Sequence, residues 1–404
     1  ALPPDAPAQG AAAVGIGGAA KGIGAVPLPL TSVTSSFWNM SQQSLSVRTD
    51  WSSQDDCSPM RGIPGSVKSD GAAFQTYSRG LMSGRSVCTL TAASVSPRAS
   101  AGKQVLYGVH SIQNLRSEME DAHKAVLGVD SWTSEDIRGS RPNSREATEA
   151  PLLGSFSFFS IFDGHGGARA AEFCGERLCA LLAADGLKAL SADPAEALRR
   201  AFARTEEEWL GLARQEELMD GTTAAVALVD RSGRRCVVGN VGDSEVICGM
   251  RDESGKASFR TLTEVHHLRR NPAEAERIAA VGGRVWRGRL GHPRISPQVL
   301  SLSVSRAIGD IFFKDERYTD GAASGLTAEP YITSLEVCAP TVREQFLVIG
   351  CDGLWDTVTY EQASDFVFAR LGAKEDPQTI SEGLVKLARN AGSSDNITVM
   401  VVVL

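Results

Sequence analysis

Short runs of β-prone residues, separated by brief polar turns, occupy the middle of the chain. Four of them follow one another, at 223–229, 235–241, 245–250 and 257–262. The connecting segments are only a few residues long and are rich in Asp, Ser and Gly. The pattern therefore predicts an antiparallel meander in which Gly242-Asp243-Ser244 forms a hairpin turn.

Helical periodicity surrounds these strands. Leu, Phe and Trp recur at three- and four-residue spacing over 168–184 and 195–219, which predicts two helices packed on a sheet. The tetrapeptide NPAE at 271–274 predicts a third helix with an N-cap, a first-turn proline and a capping-box Glu. Two more helices and a last strand are predicted near the C-terminus, at 363–371, 378–391 and 397–404.

The order of these elements indicates the fold class and the domain boundaries. Strands and helices are segregated and do not strictly alternate, which favours an α+β fold over a doubly wound parallel sheet. Dense secondary-structure signals begin near residue 103, so we predict one domain over 103–404. Residues 1–102 are rich in Ala, Gly and Ser and form an extension that is either disordered or packed on the core. A polar insertion at 132–150 is predicted to be a disordered loop.

Composition excludes several classes of protein. Hydrophobic residues make up 42% of the chain, and no apolar stretch reaches the length of a membrane span, which argues against an integral membrane protein. The net charge is -7 and the basic residues are scattered, so no nucleic-acid footprint is visible. The eight cysteines lack CxxC spacing, which favours buried thiols and a cytoplasmic or nuclear location. Because the chain begins at Ala1, secretion or export stays open.

Aspartates recur where the predicted strands end. One follows each of the runs at 156–162 and 346–351, one lies in the turn at 242–244, and one precedes the last strand: Asp163, Asp352, Asp243 and Asp395. Buried carboxylates are costly unless they are paired or coordinated, and hard oxygen ligands suit Mg²⁺ or Mn²⁺. One such residue is more often a solvated turn aspartate, but four together favour a cation site.

An acidic segment with one arginine lies upstream, at 116–123. Read as a strand, it places Glu118 and Glu120 on one face, with Arg116 beside them. A guanidinium next to metal-binding carboxylates is suited to a phosphate, because its planar fork pairs with two phosphate oxygens. Taken alone, the segment also fits a solvated edge strand.

Together these segments resemble the metal-dependent serine/threonine protein phosphatases of type 2C, the PPM family. The similar segments follow the family's order and span about 103–404. They are RSEMED at 116–121, FDGHGG at 162–167, GTTA at 221–224, VGDS at 241–244, LSVSRAIGD at 302–310, CDGLWD at 351–356 and SDNIT at 394–398.

The resemblance implies a sandwich of two antiparallel β-sheets flanked by helices, with a two-metal site at one edge. Asp163 would bridge two Mg²⁺ or Mn²⁺ ions. Glu120 and the Gly164 carbonyl would serve one ion, and Asp352 and Asp395 would serve the other. Two smaller groups are also implied: residues that support these ligands, Asp121, Thr223 and Asn396, and a pair for a weaker third ion, Asp243 and Asp356.

The same resemblance implies the reaction and the partners. A hydroxide activated between the ions would attack phosphoserine or phosphothreonine in a phosphoprotein, without a covalent phosphoenzyme. Arg116 would hold the phosphoryl oxygens, and His165 would protonate the departing alkoxide. The protein would act on phosphoprotein substrates as a monomer and would not bind nucleic acid.

The chain departs from the family pattern beside the implied site. At 264–270 it reads EVHHLRR where the family has an Asp-His-Lys-Pro-like run, so Arg269 and Arg270 are additional. With the arginines at 284–289 they would favour acidic or multiply phosphorylated substrates, or they belong to a solvated basic loop. The segment at 309–329 lies where the family has a mobile flap.

Two other functions share part of this pattern. A non-catalytic pseudophosphatase would keep the fold and bind a partner, but degenerate members should lose metal carboxylates, and this chain keeps them. A two-metal nuclease would need a basic path for the nucleic-acid backbone, which the sequence lacks. The phosphatase is the favoured hypothesis.

Overall fold

The computed structural model describes residues 105–128, 153–231 and 233–404. The predicted extension at 1–102 and the predicted loop at 132–150 lie outside these residues. No described helix is long and apolar enough to cross a membrane. Six described cysteines are free thiols, and all except Cys338 are buried, as their apolar surroundings predict.

The first of two large sheets has five antiparallel strands. Their spatial order is Leu106–Ile112 (β1), Ile397–Val403 (β15), Val342–Gly350 (β14), Glu245–Asp252 (β7) and Ala257–Thr261 (β8). The central strands β14 and β15 are rich in Val and Ile and are buried over most of their length. Such β-branched side chains fit a pleated surface that is covered on both faces.

The second large sheet is built around one long strand, Phe156–His165 (β3). Its path is Ile308–Gly309 (β12), Gly221–Thr222 (β4), β3, Ala224–Asp230 (β5), Arg235–Val241 (β6) and Tyr331–Glu336 (β13), with Asp121–Val126 (β2) paired to the other edge of β3. A separate small sheet contains Arg284–Trp286 (β9), Arg289–Gly291 (β10) and Ser301–Leu302 (β11).

The two large sheets face each other across an apolar core. Phe159 and Ile161 of β3 belong to the same buried cluster as Leu347 of β14 and Met400 of β15. Because residues of a strand point alternately to opposite faces, each sheet also has an outer apolar face that must be covered.

Helices cover both outer faces. Trp209 and Leu178 lie in the buried cluster on the outer side of the second sheet, and Leu384 and Val367 lie in the cluster outside the first sheet. The described helices are Arg169–Ala184 (α1), Leu187–Ala192 (α2), Pro194–Glu216 (α3), Pro272–Ala280 (α4), Ile311–Lys314 (α5), Glu316–Thr319 (α6), Asp352–Trp355 (α7), Tyr360–Gly372 (α8) and Pro377–Asn390 (α9). The predicted α+β sandwich with helical outer layers is confirmed.

The predicted meander is wrong at its middle turn. Strands β6 and β7 are consecutive in the chain but lie in different sheets, because β6 pairs with β5 and β13 whereas β7 pairs with β14 and β8. The turn at 242–244 is therefore a corner between the sheets. Gly242 has a φ of 87° there, and a Cβ on it would lie 2.6 Å from the Thr223 side chain. This corner places Asp243 at the edge that the two sheets share.

Helix α4 starts as predicted, but the predicted capping-box role of Glu274 is wrong. The Asn271 side chain caps the helix by accepting from the backbone N–H groups of Ala273 and Glu274. The Glu274 carboxylate, only 3% exposed, accepts hydrogen bonds from Arg277 at 2.8 Å and Arg306 at 2.7 Å. This buried ion cluster fixes α4 against the segment that leads to β12.

Replacing Glu274 by Gln tests this cluster. We expect the free energy of unfolding to fall by about 3 kcal/mol, because two partly buried arginines lose their carboxylate. The control is Glu276→Gln on the exposed side of α4, which should change stability by less than about 0.5 kcal/mol. Urea unfolding measures both values, and equal losses in the two variants would contradict the structural role.

Candidate metal centre and phosphate site

Asp163 lies at the end of β3, where the strand leaves the sandwich. It stands opposite Asp121 of β2 in the antiparallel register. Its backbone is fixed from the other side, because the Asp163 N–H donates to Thr223 Oγ1 at 3.2 Å and the Asp163 carbonyl accepts from the Thr223 N–H at 2.9 Å. Two hydrogen bonds to Thr223 therefore hold the Asp163 backbone on one side, while β2 lies along its other side.

Glu120 is held beside Asp163 by the last residues of β3. The Gly164 N–H donates to the Glu120 carbonyl at 3.2 Å. A Cβ on Gly164 would lie 2.5 Å from the same oxygen, so only glycine permits this approach. Burial raises the pKa of Glu120, and the charge of Arg116 and the backbone of Gly167 partly oppose this rise.

Asp352 approaches Asp163 from the first sheet. It is the first residue of α7, two residues after the end of β14, and its carboxyl group is close enough to act electrostatically on that of Asp163. Helix α7 packs closely on the segment before β15 at Gly353. A Cβ on this residue would lie only 2.0 Å from the Asn396 carbonyl oxygen, so the close approach requires glycine. Carboxylates from both sheets thus meet at one edge.

This concentration of negative charge changes the acidity of the group. Burial raises the pKa of Asp163 and of Asp352 well above the usual range, and neighbouring carboxylates raise both further. Burial, as the largest cause, also raises the pKa of Asp121 and of Asp243 to about 6. In the absence of a compensating cation, these carboxylates therefore bind protons more tightly than free aspartate does.

The donor set fits a hard divalent cation. Asp121 Oδ1 is a buried oxygen that has no hydrogen-bond partner in the described part of the chain. Ligand-type atoms of Asp121, Asp163 and Cys351 lie within 4.8 Å of one another. Burial raises the pKa of Cys351 well above its usual range, so this sulfur stays a neutral thiol, and the oxygens are the ligands that Mg²⁺ or Mn²⁺ would take.

Arg116 reaches the carboxylates from a turn, so the predicted strand at 116–120 is wrong. Strand β2 begins only at Asp121, and Glu118 is exposed. The Arg116 guanidinium donates to Asp395 Oδ1 at 2.6 Å and to Glu120 Oε2 at 3.1 Å. The turn, and not alternation along a strand, brings the arginine to Glu120.

Asn396 holds this turn in place, next to Asp395. Its side-chain amide donates to the carbonyls of Gln113 and Glu118 at 2.9 and 3.0 Å, and its Oδ1 accepts from the Glu120 N–H at 2.9 Å. Asn396 is 4% exposed, so all three bonds are shielded from water. The residue therefore positions both Arg116 and Glu120.

His165 has a carboxylate partner that the sequence analysis missed. Its Nε2 lies 2.8 Å from Asp310 Oδ2. Burial opposes protonation of the imidazole, but the charge of Asp310 outweighs it and raises the pKa of His165. A Cβ on Gly221 would lie 2.2 Å from the Asp310 carboxylate, so glycine is required beneath the pair.

The remaining predicted residues lie around this centre. Thr223 Oγ1 lies 2.7 Å from Ser244 Oγ, which links β3 to the corner that carries Asp243. Asp243 is buried, whereas Asp356 is exposed at the end of α7. Arg270 lies between Asp356 and the buried Glu245.

The basic loop and the flap also take definite positions. Within the described residues, none of the other arginines of this region forms an ion pair with a carboxylate: Arg269, Arg284, Arg287 and Arg289.

The predicted flap at 309–329 is more structured than its polar composition indicates, because it begins with α5 and α6 and buries Phe312 and Phe313.

Comparison with known proteins identifies the family. The sequence model of the family described as protein phosphatase 2C matches residues 105–397. The chain belongs to the protein phosphatase 2C family. The predicted resemblance is confirmed, and the segments that carried it all begin within the matched range.

Relatives and solved structures agree with this assignment. Protein phosphatase 2C homolog 2 of Aspergillus fumigatus is 33% identical over 74% of this chain and 64% of that protein. Protein phosphatase 1F of Homo sapiens is 34% identical over 75% of this chain and 58% of that protein. The chain thus spans less than two thirds of the length of both relatives.

Structural neighbours share the phosphatase 2C fold at low sequence identity. The serine-threonine phosphatase 2C from Toxoplasma gondii has a TM-score of 0.53 and 20% identity, over 74% of this chain and 94% of that one. A C. elegans sex determining protein has a TM-score of 0.55 and 20% identity, over 76% and 66%.

Two residues near the site that were not predicted to belong to it, Asp310 and Cys351, lie inside segments that resemble the family. Asp310 ends the segment at 302–310, and Cys351 directly precedes Asp352, but neither had a partner that could be named from the sequence. Their partners, His165 and Asp121, lie far away in the chain and meet them only through the pairing of strands.

Replacing Asp163 by Asn tests the charge balance of the metal-free protein. Because the folded-state pKa of these aspartates exceeds the unfolded value, stability should fall as the pH rises from about 4 through about 6. Removing one charge should raise the stability of the metal-free protein at neutral pH by about 1–3 kcal/mol and flatten this pH dependence.

Thermal unfolding in the presence of a chelator, across this pH range, measures the effect. Asp365→Asn on the exposed face of α8 is the matched control and should leave the curve unchanged. A wild type whose stability rises over the same interval, or an Asp163→Asn variant that is less stable at neutral pH, would contradict the charge balance described above.

Proposed function

We propose that this domain hydrolyses phosphoserine and phosphothreonine in phosphoproteins with the help of Mg²⁺ or Mn²⁺. The observation that carries the proposal is the position of Arg116. Its guanidinium contacts Glu120 and Asp395 at the rim of a carboxylate cluster that includes Asp163 and Asp352. A cation that binds phosphate thus lies next to oxygens that suit divalent ions.

The carboxylates define where the ions would bind. Glu120, Asp163 and the Gly164 carbonyl would hold one, and Asp163, Asp352 and Asp395 the other. When bound, such a pair of ions neutralises the carboxylates and makes water a stronger nucleophile at neutral pH. Asp121 would support these ligands from close by. Its Oδ2 accepts a hydrogen bond from the Thr398 hydroxyl, and its Oδ1 has no hydrogen-bond partner in the described residues.

Arg116 would bind the phosphoryl oxygens. Two of its five N–H donors are used by Asp395 and Glu120, and its side chain is 45% exposed. The remaining donors are thus available at the surface of the cluster. The two carboxylates fix the plane of the guanidinium, so a phosphate meets a preorganised partner.

His165 would donate a proton to the departing serine or threonine oxygen. Asp310 contacts Nε2, so Nδ1 is the nitrogen that is available for the substrate. A carboxylate on one nitrogen stabilises the imidazolium and fixes the ring. The raised pKa of His165 keeps part of the population protonated near neutral pH.

Hydrolysis of a phosphothreonine peptide and of para-nitrophenyl phosphate tests the proposal directly. Activity should require Mn²⁺ or Mg²⁺, should disappear with EDTA, and should be lost in Asp163→Ala. Activity that survives both treatments would contradict it. Binding of Mn²⁺ without any hydrolysis would instead support a non-catalytic, partner-binding phosphatase 2C domain.

The role of His165 has its own signature. A phosphothreonine peptide has a poor leaving group that needs a proton, whereas para-nitrophenolate leaves without one. We expect His165→Gln to lower kcat for the peptide by about 10²–10⁴-fold and to affect para-nitrophenyl phosphate much less. Asp310→Asn should show a smaller loss with the same preference, and His110→Gln, on β1, should behave as wild type. Equal losses on both substrates would rule out proton donation.

A further inference from the structure

The predicted position of a third ion already lies beside a positive charge. Arg270 Nη1 is 3.9 Å from Asp356 Oδ1. The same guanidinium is close enough to act electrostatically on Asp243, the other predicted ligand of that ion. Arg270 is one of the two arginines that are additional relative to the family pattern.

Arg270 is anchored in this place. Its Nη2 donates to Glu245 Oε1 at 3.0 Å and to Tyr360 Oη at 3.3 Å. Glu245 is 1% exposed, and its second oxygen accepts from the Tyr360 hydroxyl. A buried carboxylate that loses its paired cation is costly, so Arg270 cannot easily move away from Glu245.

We propose that Arg270 supplies the positive charge at the Asp243–Asp356 pair and thereby weakens binding of a third divalent cation there. The inference rests on the proposed two-metal function. A guanidinium fixed beside these carboxylates opposes binding of a cation in two ways. It neutralises their negative charge, and it repels the incoming ion. In this chain the pair is a poorer cation site than the carboxylates alone indicate.

Counting bound Mn²⁺ by isothermal titration calorimetry tests the inference. In Arg270→Gln we expect one additional Mn²⁺ to bind, or the weakest ion to bind about tenfold more tightly. Arg270→Lys keeps the charge and should resemble the wild type. The matched control is Arg269→Gln, because the Arg269 side chain donates to the Arg287 carbonyl and not to a carboxylate.

Two further variants make the result specific. In Arg270→Gln/Asp356→Asn the gain should disappear, because the third ion loses a ligand. If Arg270→Gln is unstable, Glu245→Gln/Arg270→Gln removes the buried pair as a unit and should show the same gain.

A wild type that binds the third ion as tightly as Arg270→Gln would overturn the inference, and so would a gain that persists without Asp356. These results leave the proposed function intact, provided that the wild type hydrolyses phosphothreonine peptide. A wild type that binds no Mn²⁺ and has no phosphatase activity would overturn the proposed function and the inference together.

Discussion

Repulsion between carboxylates at the edge shared by the two sheets is the constraint on which the rest of the site depends. Asp163 arrives from β3, Asp352 from the end of β14 and Asp243 from the corner between β6 and β7. Without a cation, these neighbouring negative charges would repel one another and push the strand ends apart, or the carboxylates would bind protons. The fold resists this through the two hydrogen bonds that hold the Asp163 backbone to Thr223 and through glycines that allow close approach.

Positive charges at the rim complete this arrangement. Arg116 pairs with Glu120 and Asp395 on one side, and Arg270 lies beside Asp356 on the other. The two arginines differ in how they are held. Arg116 rests on carboxylates that would also hold metal, so its donors lie where a phosphate would bind. Arg270 is held by the buried Glu245, so its charge stays fixed beside Asp356.

Local patterns predicted much of this from the sequence. Aspartates marked the ends of the buried strands β3 and β14, and the residues at 271–274 predicted the start of α4. Relations between distant segments were not marked. Strands β6 and β7 are both largely buried, so the alternation that would assign them to one sheet or two is missing. The contact of Asp310 with His165 depends on the pairing of β12 and β4 with β3. The capping-box prediction for Glu274 failed because one of its two arginine partners, Arg306, comes from a distant segment.

An anomalous difference map from crystals soaked in Mn²⁺ would show whether Asp163 and its neighbours form a divalent cation site. We expect two strong peaks in contact with the Asp163 carboxylate, one shared with Glu120 and the other with Asp352 and Asp395. A map without peaks at this edge, or with peaks only at surface carboxylates such as Asp356, would contradict it.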